Sequence, residues 1–457
     1  MGFDKNIKEK TILVVGLARS GVSATKWLDR LGAKVIACDR KKEEEISEAV
    51  EELRRETGCS FCFGRNPDDL VGQADGIVLS PGIPVDSPFV KKASELGIKV
   101  ISEVELAYRY CKAPIVAITG TNGKTTTTTL VGEILKASGR NTYVVGNIGV
   151  PFTDVAGKAT ADDVVVAEIS SFQLETIDRF QPTVSVMLNI TEDHMNRHKT
   201  MENYIAVKSR IFKNQDSKGY VVLNGDDKIL SRLQPDTKAQ VLYFSRKRIL
   251  SRGAWVENNR IVMDLGKGPE KICHTDDIFI PGAHNLENAL AGVLAAGIMG
   301  AEPAVIAGVL KEFPGVEHRI EKVATIKGIT FFNDSKGTNP DSSIKAIEAM
   351  TGPTVLIAGG MDKKSSFSGF VDAFGEKIKA LVLLGETTEI IAKTAEEKGF
   401  QNIYRVNSIQ EAVERSLTLS APGYNVLLSP ACASWDMFRD YEERGRIFKE
   451  AVRTLGR

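Results

Sequence analysis

The chain has 457 residues, of which 42% are hydrophobic and 26% are charged, as expected for a globular protein of roughly three domains. Its 59 basic and 59 acidic residues balance, so the composition provides no basic surface for nucleic acid or an anionic membrane, and we expect neither partner. Of the six cysteines, only Cys59 and Cys62 form a C-x-x-C pair, which favours reduced thiols over a zinc site.

The membrane prediction depends on two stretches. The N-terminal residues lack the apolar core of a secretion signal, and the apolar stretch 289–309 is interrupted by Glu302 and Pro303. We predict a pair of packed helices at 289–309 rather than a membrane span, and we expect a cytoplasmic protein.

Alternating strand and helix patterns predict an α/β protein with three domains. The predicted order is a Rossmann-like domain at 1–111, a central ATP-binding domain with a mostly parallel sheet at 112–315, and a second Rossmann-like domain at 316–457.

The first domain begins with a nucleotide-binding pattern. A buried-strand run at 11–16 precedes a G-x-A-x-x-G turn in which Ala18 replaces the usual middle glycine. Asp39 follows the second strand at the spacing of a ribose-binding carboxylate. Another strand, 76–80, leads into a Ser80-Pro-Gly-Ile turn at the edge where such sheets bind ligands. A Rossmann-like domain without a ligand is the alternative.

The central domain opens with the phosphate loop, defined here as Gly120-Thr-Asn-Gly-Lys-Thr-Thr126. It lies between the apolar run 114–118 and a helical pattern, so its backbone N–H groups are predicted to surround phosphates at a helix N-terminus. Lys124 would neutralise phosphate charge, and the Thr125 hydroxyl would bind Mg²⁺. The loop is shorter than the usual Walker pattern, because Ile118 stands where that pattern has its first glycine.

Two polar side chains follow buried strands of the central domain. Glu168 ends the strand 163–167, and a buried unpaired carboxylate is costly, so we predict a nearby Mg²⁺ or other cation. A glutamate that has reached the surface is the alternative. His194 is one of only five histidines and follows the strand 183–187, which makes it a candidate ligand of a second metal; a structural histidine is the alternative.

Other central features are less specific. Asn285 and Asn288 share one helix face and suit either an adenine edge or a helix-cap network. Lys208 carries no signal by itself. The stretch 241–281 is β-like, and Asn258-Asn259 predicts a hairpin turn.

The third domain is predicted to contain a second doubly wound sheet, because strands at 330–332, 354–358, 380–384 and 425–429 alternate with helices. The polar loop 333–340 directly follows one strand, and the segment 429–441 follows another. Loops at these strand ends usually carry function; a solvated turn is the alternative.

Seven motifs together resemble those of the Mur ligase and folylpolyglutamate synthetase superfamily. They are the phosphate loop, Gly146-Asn147-Ile-Gly149-x-Pro151, Glu168-x-Ser170-Ser-Phe-Gln173, Asn189-x-x-x-Asp193-His194, Tyr204-x-x-x-Lys208, His284-Asn285-x-x-Asn288 and His318-Arg319. The first and third domains add segments similar to the family members that use D-glutamate. These are Val15-Gly-Leu-Ala-Arg-Ser-Gly21, Ser80-Pro-Gly-Ile83, Asn333-Asp-Ser-Lys336-x-Thr338-Asn339 and Leu428-Ser-Pro-Ala-Cys-Ala-Ser-Trp-Asp436.

The resemblance implies an ATP-dependent ligase that joins D-glutamate to UDP-N-acetylmuramoyl-L-alanine through an acyl phosphate. It implies two Mg²⁺ sites, a carbamylated Lys208, domain closure and, we expect, a monomer. Such a ligase makes a peptidoglycan precursor and thereby supports cell-wall synthesis, cell shape and cell division.

The resemblance also implies roles for individual residues. Metal ligands would be Thr125, Glu168, His194 and carbamylated Lys208. ATP would contact Gly120, Thr121, Asn122, Gly123, Lys124, Thr125, Thr126, Asn285, Asn288, Arg319 and Asp334. The UDP-substrate would contact Leu17, Ala18, Asp39, Arg40, Ser80, Gly82, Asn147, Ser170 and Gln173. D-Glutamate would contact Lys336, Thr338, Ser434 and Tyr441. The catalytic set would be Lys124, Lys208, His194, His318 and Lys336.

Three other functions compete with this interpretation. Another amino acid ligase of the superfamily shares the central motifs but not the 428–436 segment. A nucleotide-dependent switch would need no second metal site, so Glu168, His194 and Lys208 argue against it. A dehydrogenase would explain Asp39 and the G-x-A-x-x-G turn, but not the phosphate loop.

Overall fold

The computed structural model describes residues 3, 7–280, 282–362 and 365–455. Within these residues the strands form three mostly parallel sheets, and helices alternate with the strands along the chain. The predicted α/β class is therefore confirmed. The same part of the chain holds no helix with the length and apolar character needed to cross a bilayer.

The strands of each sheet are consecutive along the chain. The first sheet consists of β1 (Thr11–Val15), β2 (Lys34–Asp39), β3 (Ser60–Phe63), β4 (Gly76–Leu79) and β5 (Lys99–Ser102). The second consists of β6 (Ile115–Thr119), β7 (Thr142–Gly146), β8 (Val164–Glu168), β9 (Val184–Met187), β10 (Tyr220–Asn224), β11 (Gln240–Ser245), β12 (Gly253–Glu257), β13 (Arg260–Asp264) and β14 (Glu270–His274). The third consists of β15 (Glu321–Ile326), β16 (Ile329–Asn333), β17 (Thr354–Ala358), β18 (Ile378–Leu383), β19 (Ile403–Arg405) and β20 (Asn425–Leu428).

Helices follow most of these strands. Those of the first domain are α1 (Arg19–Arg30), α2 (Ser47–Glu56), α3 (Pro88–Glu95) and α4 (Glu103–Tyr108). The central ones are α5 (Lys124–Ala137), α6 (Thr153–Ala156), α7 (Ser171–Leu174), α8 (Met195–His198), α9 (Met201–Ser209), α10 (Ala283–Ile298) and α11 (Pro303–Glu312). The last are α12 (Pro340–Ala349), α13 (Ser368–Asp372), α14 (Thr388–Glu397), α15 (Ile409–Thr418) and α16 (Tyr441–Leu455). The stretch 289–309 thus forms parts of two helices, as predicted.

The order of strands differs from their order in the sequence, as in doubly wound sheets. The first sheet is parallel throughout, in the order β3-β2-β1-β4-β5. The second runs β14-β13-β12-β11-β10-β9-β6-β8-β7, with the β12–β13 and β13–β14 pairs antiparallel. The third runs β15-β16-β20-β17-β18-β19, with only the β15–β16 pair antiparallel. The predicted hairpin turn is confirmed, because Asn258 and Asn259, at φ 50° and 56°, join β12 to β13.

Alternate residues of the first and third sheets are buried in different clusters. In β17, Leu356 and Ala358 belong to one apolar cluster, whereas Val355 and Ile357 belong to another. Both faces of the sheet are therefore covered, which explains why the central strands are continuous apolar runs in the sequence.

The described chain divides into two compact units. One comprises Met1–Asp277 and Glu287–Leu310 and contains the first two sheets. The other comprises Ile278–Leu286 and Lys311–Arg457 and contains the third sheet.

Within the first unit, a buried carboxyl group connects helices that belong to the first and the second sheet. Glu103 of α4 is 2% exposed, and its Oε1 accepts hydrogen bonds from Thr153 N (2.6 Å) and Thr153 Oγ1 (2.8 Å). The Ser23 hydroxyl of α1 contacts Thr153 Oγ1 (2.6 Å) and donates to Asp154 Oδ1 (2.5 Å). Burial, aided by the nearby Asp154 charge, raises the pKa of Glu103 from 4.5 to about 7.

The raised pKa of Glu103 predicts a pH-dependent stability. The folded chain holds this proton more tightly than the unfolded chain, so the free energy of unfolding should fall as pH rises from 4.5 to about 7. The Glu103→Gln variant should lose this slope and be more stable above pH 7 by about 3 kcal/mol. Urea unfolding at pH 5 and pH 8 measures the difference. The control is Glu133→Gln, whose side chain is 46% exposed. Equal slopes in the wild type and the Glu103 variant would contradict the prediction.

Candidate functional site

The phosphate loop follows β6 and includes the first residues of α5. An asparagine that lies outside the loop, Asn189, is hydrogen-bonded to its backbone. Asn189 accepts a hydrogen bond from Asn122 N at Oδ1 (2.8 Å) and donates from Nδ2 to the Asn122 carbonyl (3.0 Å). Its own carbonyl accepts from Thr121 N (3.0 Å). The loop backbone is thereby fixed, with Gly123 in the left-handed region at φ 84° just before the helix begins. This layout matches the predicted phosphate cradle.

Two glycines of the loop have no room for a side chain. A Cβ on Gly123 would lie 2.2 Å from Asn288 Oδ1, and a Cβ on Gly120 would lie 3.0 Å from Leu188 Cβ. Lys124 folds back over the loop, and its Nζ donates to the Gly120 carbonyl (3.0 Å) and the Thr121 carbonyl (2.7 Å). The ammonium group thus lies against the backbone of the loop.

A buried carboxylate lies beside the phosphate loop. Glu168 is 1% exposed at the end of β8, directly opposite Ile118 in the sheet register. Its Oε1 accepts a hydrogen bond from Asn147 Nδ2 (2.8 Å), whereas its buried Oε2 has no hydrogen-bond partner among the residues that the structure describes. A carboxylate oxygen left in this state is costly unless a cation is bound, so the site fits a divalent metal ion.

Lys208 of α9 lies in the same cluster. It is 1% exposed, and its Nζ donates to the Gly120 carbonyl (2.8 Å) and lies 4.8 Å from the centre of the Tyr204 ring. Burial and the charge of Lys124 lower the pKa of Lys208 well below its ordinary value. The neutral amine, which is the form that reacts with CO₂, therefore forms at a lower pH than it does on an exposed lysine.

His194 lies at the surface of this region. Its side chain is 46% exposed, its backbone is left-handed at φ 55°, and its Nε2 lies 3.5 Å from Asp193 Oδ2. The imidazole ring packs on Phe172 with the ring centres 4.8 Å apart. An exposed imidazole held by a neighbouring carboxylate and an aromatic ring is suited to bind a metal ion.

The turns of the first sheet are fixed by their own side chains. Asp39 accepts hydrogen bonds from Leu17 N (2.8 Å) and Lys41 N (2.9 Å), and Ser80 Oγ donates to the Gly16 carbonyl (2.7 Å). The predicted UDP-substrate residues of the first domain therefore follow the carboxyl ends of β1, β2 and β4. Leu17 and Ser80 are buried, whereas Ala18 and Arg40 are exposed.

Ser170 and Gln173 form a local structure. They make the capping box of α7, in which Gln173 Oε1 accepts from Ser170 N (2.8 Å) and Gln173 N donates to Ser170 Oγ (3.3 Å). This accounts for the pair by helix capping, and their contact with a sugar stays a prediction.

In the second unit, a histidine and a tyrosine flank a lysine. His318 is 3% exposed, with its Nδ1 2.9 Å from Asn333 Nδ2 and its ring centre 6.2 Å from that of Tyr441. Lys336 Nζ lies 5.2 Å from the centre of the Tyr441 ring, and its backbone N donates to the His318 carbonyl (3.0 Å). The three residues thus form one cluster, to which the lysine brings positive charge.

Asp334, near the start of the 333–340 loop, is hydrogen-bonded to two other segments of the second unit. It is 2% exposed, and its two carboxylate oxygens accept from Ile320 N (3.2 Å) and Ser429 Oγ (2.7 Å). Burial raises its pKa to about 6, against the lowering effect of the nearby Arg319. Its contact with ATP stays a prediction.

Arg444 connects two candidate substrate loops and was not predicted. Its buried guanidinium donates from Nε to Ser335 Oγ (2.9 Å), from NH2 to the Ser335 carbonyl (2.7 Å) and from NH1 to the Cys432 carbonyl (3.2 Å). These bonds hold the loop with Lys336 against the loop with Ser434. Because Ser335 lies 109 residues before Arg444, no local sequence pattern predicts this contact.

Arg197 and His198 of α8 were not assigned a role from the sequence, although His198 is one of the five histidines of the chain. His198 is 4% exposed, and its Nε2 lies 3.0 Å from Ser171 Oγ. Arg197 bonds to Ile83, 114 residues earlier.

Thr338 lies beside Lys336 on its loop, and Ser434 is 2% exposed. Asn285 and Asn288 are buried one turn apart on α10. Gly82 has open space around it, and Thr126 is buried in the first turn of α5.

Three family models match the chain in its three parts. They are the Mur ligase MurD-like N-terminal domain at 10–102, the Mur ligase middle domain at 118–296, and the Mur ligase, glutamate ligase domain at 318–432. Together they cover well over half of the chain.

Curated proteins align with the chain from end to end. UDP-N-acetylmuramoylalanine–D-glutamate ligase of Thermoanaerobacter sp. (strain X514) is 51% identical over 99% of this chain and 100% of its own length. The proteins of the same name from Alkaliphilus oremlandii and Clostridioides difficile (strain 630) are 49% and 48% identical, over 99% and 98% of this chain and 100% of their own lengths.

Solved structures share the fold at low sequence identity. UDP-N-acetylmuramate-alanine ligase MurC of Thermotoga maritima is 20% identical over 97% of this chain and 99% of its own, with a TM-score of 0.59. MurF ligase of Thermotoga maritima in complex with ADP is 16% identical over 99% of both chains, with a TM-score of 0.60. With the family models and the full-length relatives, these matches show that the chain belongs to the Mur ligase family.

Proposed function

We propose that this chain is an ATP-dependent ligase that joins D-glutamate to UDP-N-acetylmuramoyl-L-alanine in cytoplasmic peptidoglycan precursor synthesis. The observation that carries the proposal is identity of 47–51% over nearly the whole chain to curated proteins of that name. An acyl phosphate would join the two half-reactions, because a carboxylate oxygen is a poor leaving group until it is phosphorylated. The chain is proposed to act as a monomer with domain boundaries near residues 111 and 315.

The phosphate loop and Glu168 would hold ATP and a first Mg²⁺. The loop's N–H groups and Lys124 would bind the phosphates, while Thr125 and the unpartnered Glu168 Oε2 would bind the metal. Mg²⁺ supplies charge screening, so that a carboxylate can approach the γ-phosphate. His194 is proposed to hold a second Mg²⁺. Asn285, Asn288, Arg319 and Asp334 are proposed to contact ATP.

Lys208 is proposed to be carbamylated. Its amine would add to the carbon of CO₂, and the proton lost from nitrogen would leave an anionic carbamate. The lowered pKa of Lys208 supports this step, because a protonated amine is not nucleophilic. The carbamate would place negative charge beside Lys124 and serve as a metal ligand.

The two other substrates are assigned mainly to the first and the third domain. The UDP-sugar is proposed to lie on the β1, β2 and β4 turns, with Asn147, Ser170 and Gln173 near its sugar and pyrophosphate. D-Glutamate is proposed to pair its carboxylates with Lys336, Thr338, Ser434 and Tyr441, while His318 lies near the reacting groups.

Phosphate release from ATP tests the proposal directly. With UDP-N-acetylmuramoyl-L-alanine present, release should require D-glutamate and yield an amide product detectable by mass. L-Glutamate, L-lysine and no amino acid are the controls. Release with a different amino acid would discard this substrate in favour of another ligase of the superfamily, and NAD binding without release would favour a dehydrogenase.

A further inference from the structure

One guanidinium lies where three segments of the first unit meet. Arg197 NH2 donates to the Ile83 carbonyl (2.8 Å) and to Glu175 Oε2 (2.5 Å), and its Nε donates to Glu175 Oε1 (3.1 Å). The guanidinium carbon lies 4.8 Å from the centre of the Phe172 ring. The side chains of Arg197 and Glu175 are only 14% and 7% exposed.

Each of these segments belongs to a different part of the candidate site. Ile83 ends the Ser80–Ile83 turn after β4, which is closed by a hydrogen bond from Ile83 N to the Ser80 carbonyl (3.0 Å). Phe172 and Glu175 lie on and after α7, which follows Glu168 closely. Arg197 itself lies one helical turn after His194, and its N–H donates to the His194 carbonyl (2.9 Å).

The geometry requires an arginine. A bidentate pair with Glu175 occupies one edge of the planar fork, and the same NH2 group reaches the Ile83 carbonyl. A lysine ammonium keeps the charge but cannot reproduce this fork or place a planar group over the Phe172 ring.

Phe172, which contacts Arg197, also packs against His194 and His198. Its ring centre lies 4.8 Å from that of His194 and 5.6 Å from that of His198, the latter nearly parallel at 27°. Because the His194 backbone is left-handed, its position depends on such neighbours rather than on local preference.

We propose that Arg197 is a positioning residue that ties the Ser80–Ile83 turn to the segment carrying His194, so that binding of the sugar nucleotide fixes this segment for phosphoryl transfer. The proposal deepens the proposed function and rests on it. Arg197 acts through Ile83 and Phe172 and is not assigned a contact with the substrates.

The test compares Arg197→Lys with the wild type in binding and in turnover. Calorimetry with UDP-N-acetylmuramoyl-L-alanine, without ATP or Mg²⁺, should give a Kd about tenfold higher for the variant, as expected for a lost charge-assisted hydrogen bond. In the ligation assay, its KM for the sugar nucleotide should rise similarly while its KM for ATP changes less than about threefold. Its half-saturating Mg²⁺ concentration should also rise, because the His194 segment is no longer fixed.

Arg179→Ala is the matched control, because it removes an arginine that is 62% exposed in the same unit. Its Kd and KM values should equal those of the wild type. If thermal denaturation shows that Arg197→Lys is not folded, Glu175→Gln is measured instead. This variant should raise the Kd and the KM for the sugar nucleotide in the same direction.

Unchanged Kd and KM for the sugar nucleotide in the variant would overturn the proposal. The proposal would also be overturned if the Kd and KM for the sugar nucleotide and the KM for ATP all worsened equally while the Tm fell. Arg197 would then only stabilise the fold. Failure of the proposed function looks different, since the wild type and Arg179→Ala would then form no amide product, while the calorimetric comparison would still test Arg197.

Discussion

Lys208→Ala should nearly abolish ligation, by about three orders of magnitude or more, without unfolding the protein. The loss of the carbamate would remove both a negative charge and a metal ligand beside the phosphate loop. The fully buried amine, its bond to the Gly120 carbonyl and its lowered pKa all support this role. The amide-product assay and the Tm are measured together.

Rescue separates a carbamate from a simple lysine contact. Acetate is a short carboxylate that fits where the carbamate would be, so adding it should partly restore the activity of Lys208→Ala. Lys213→Ala is the control, because Lys213 lies five residues later and is exposed. Full activity of Lys208→Ala without acetate would exclude the carbamate, whereas a failure of acetate with an intact Tm would favour the ammonium form.

Lys336→Ala should reduce kcat/KM for D-glutamate by about two orders of magnitude, while ATP binding stays within about threefold of the wild type. Truncating one partner of a desolvated charge pair costs about 2–5 kcal/mol. Lys336 suits this role, because its ammonium lies against the Tyr441 ring and its backbone is bonded to the His318 carbonyl.

The measurement varies D-glutamate at saturating ATP and then ATP at saturating D-glutamate. Lys345→Ala is the control, since it removes a lysine of the same unit that is 43% exposed and pairs with Glu348. Equal losses for both substrates would remove Lys336 from the D-glutamate site and place it in general support of the loop.

The sequence by itself determined the central strands and the turns. β17 was predicted with its observed bounds, and the Asn258-Asn259 turn and the phosphate loop were also placed correctly. Central strands are buried on both faces and therefore read as unbroken apolar runs, while glycine and asparagine mark turns by their backbone preferences.

The strands that the sequence analysis missed are mostly at sheet edges. β3, β5, β7, β15 and β19 each end a sheet. In β15, Glu321, Lys322 and Thr325 alternate irregularly with apolar residues, and none of its residues is fully buried. An edge strand pairs on one side only, so its position depends on a neighbour chosen by the tertiary fold rather than on its own pattern.

The tertiary structure also decided which polar residues work together. Lys208 gave no signal on its own helix, yet it lies against the phosphate loop 88 residues earlier. Arg197 and Arg444 were indistinguishable from surface arginines in the sequence, but they reach partners 114 and 109 residues away. Local patterns report which face of an element is buried, whereas a fork of hydrogen bonds between distant segments exists only after the chain has packed.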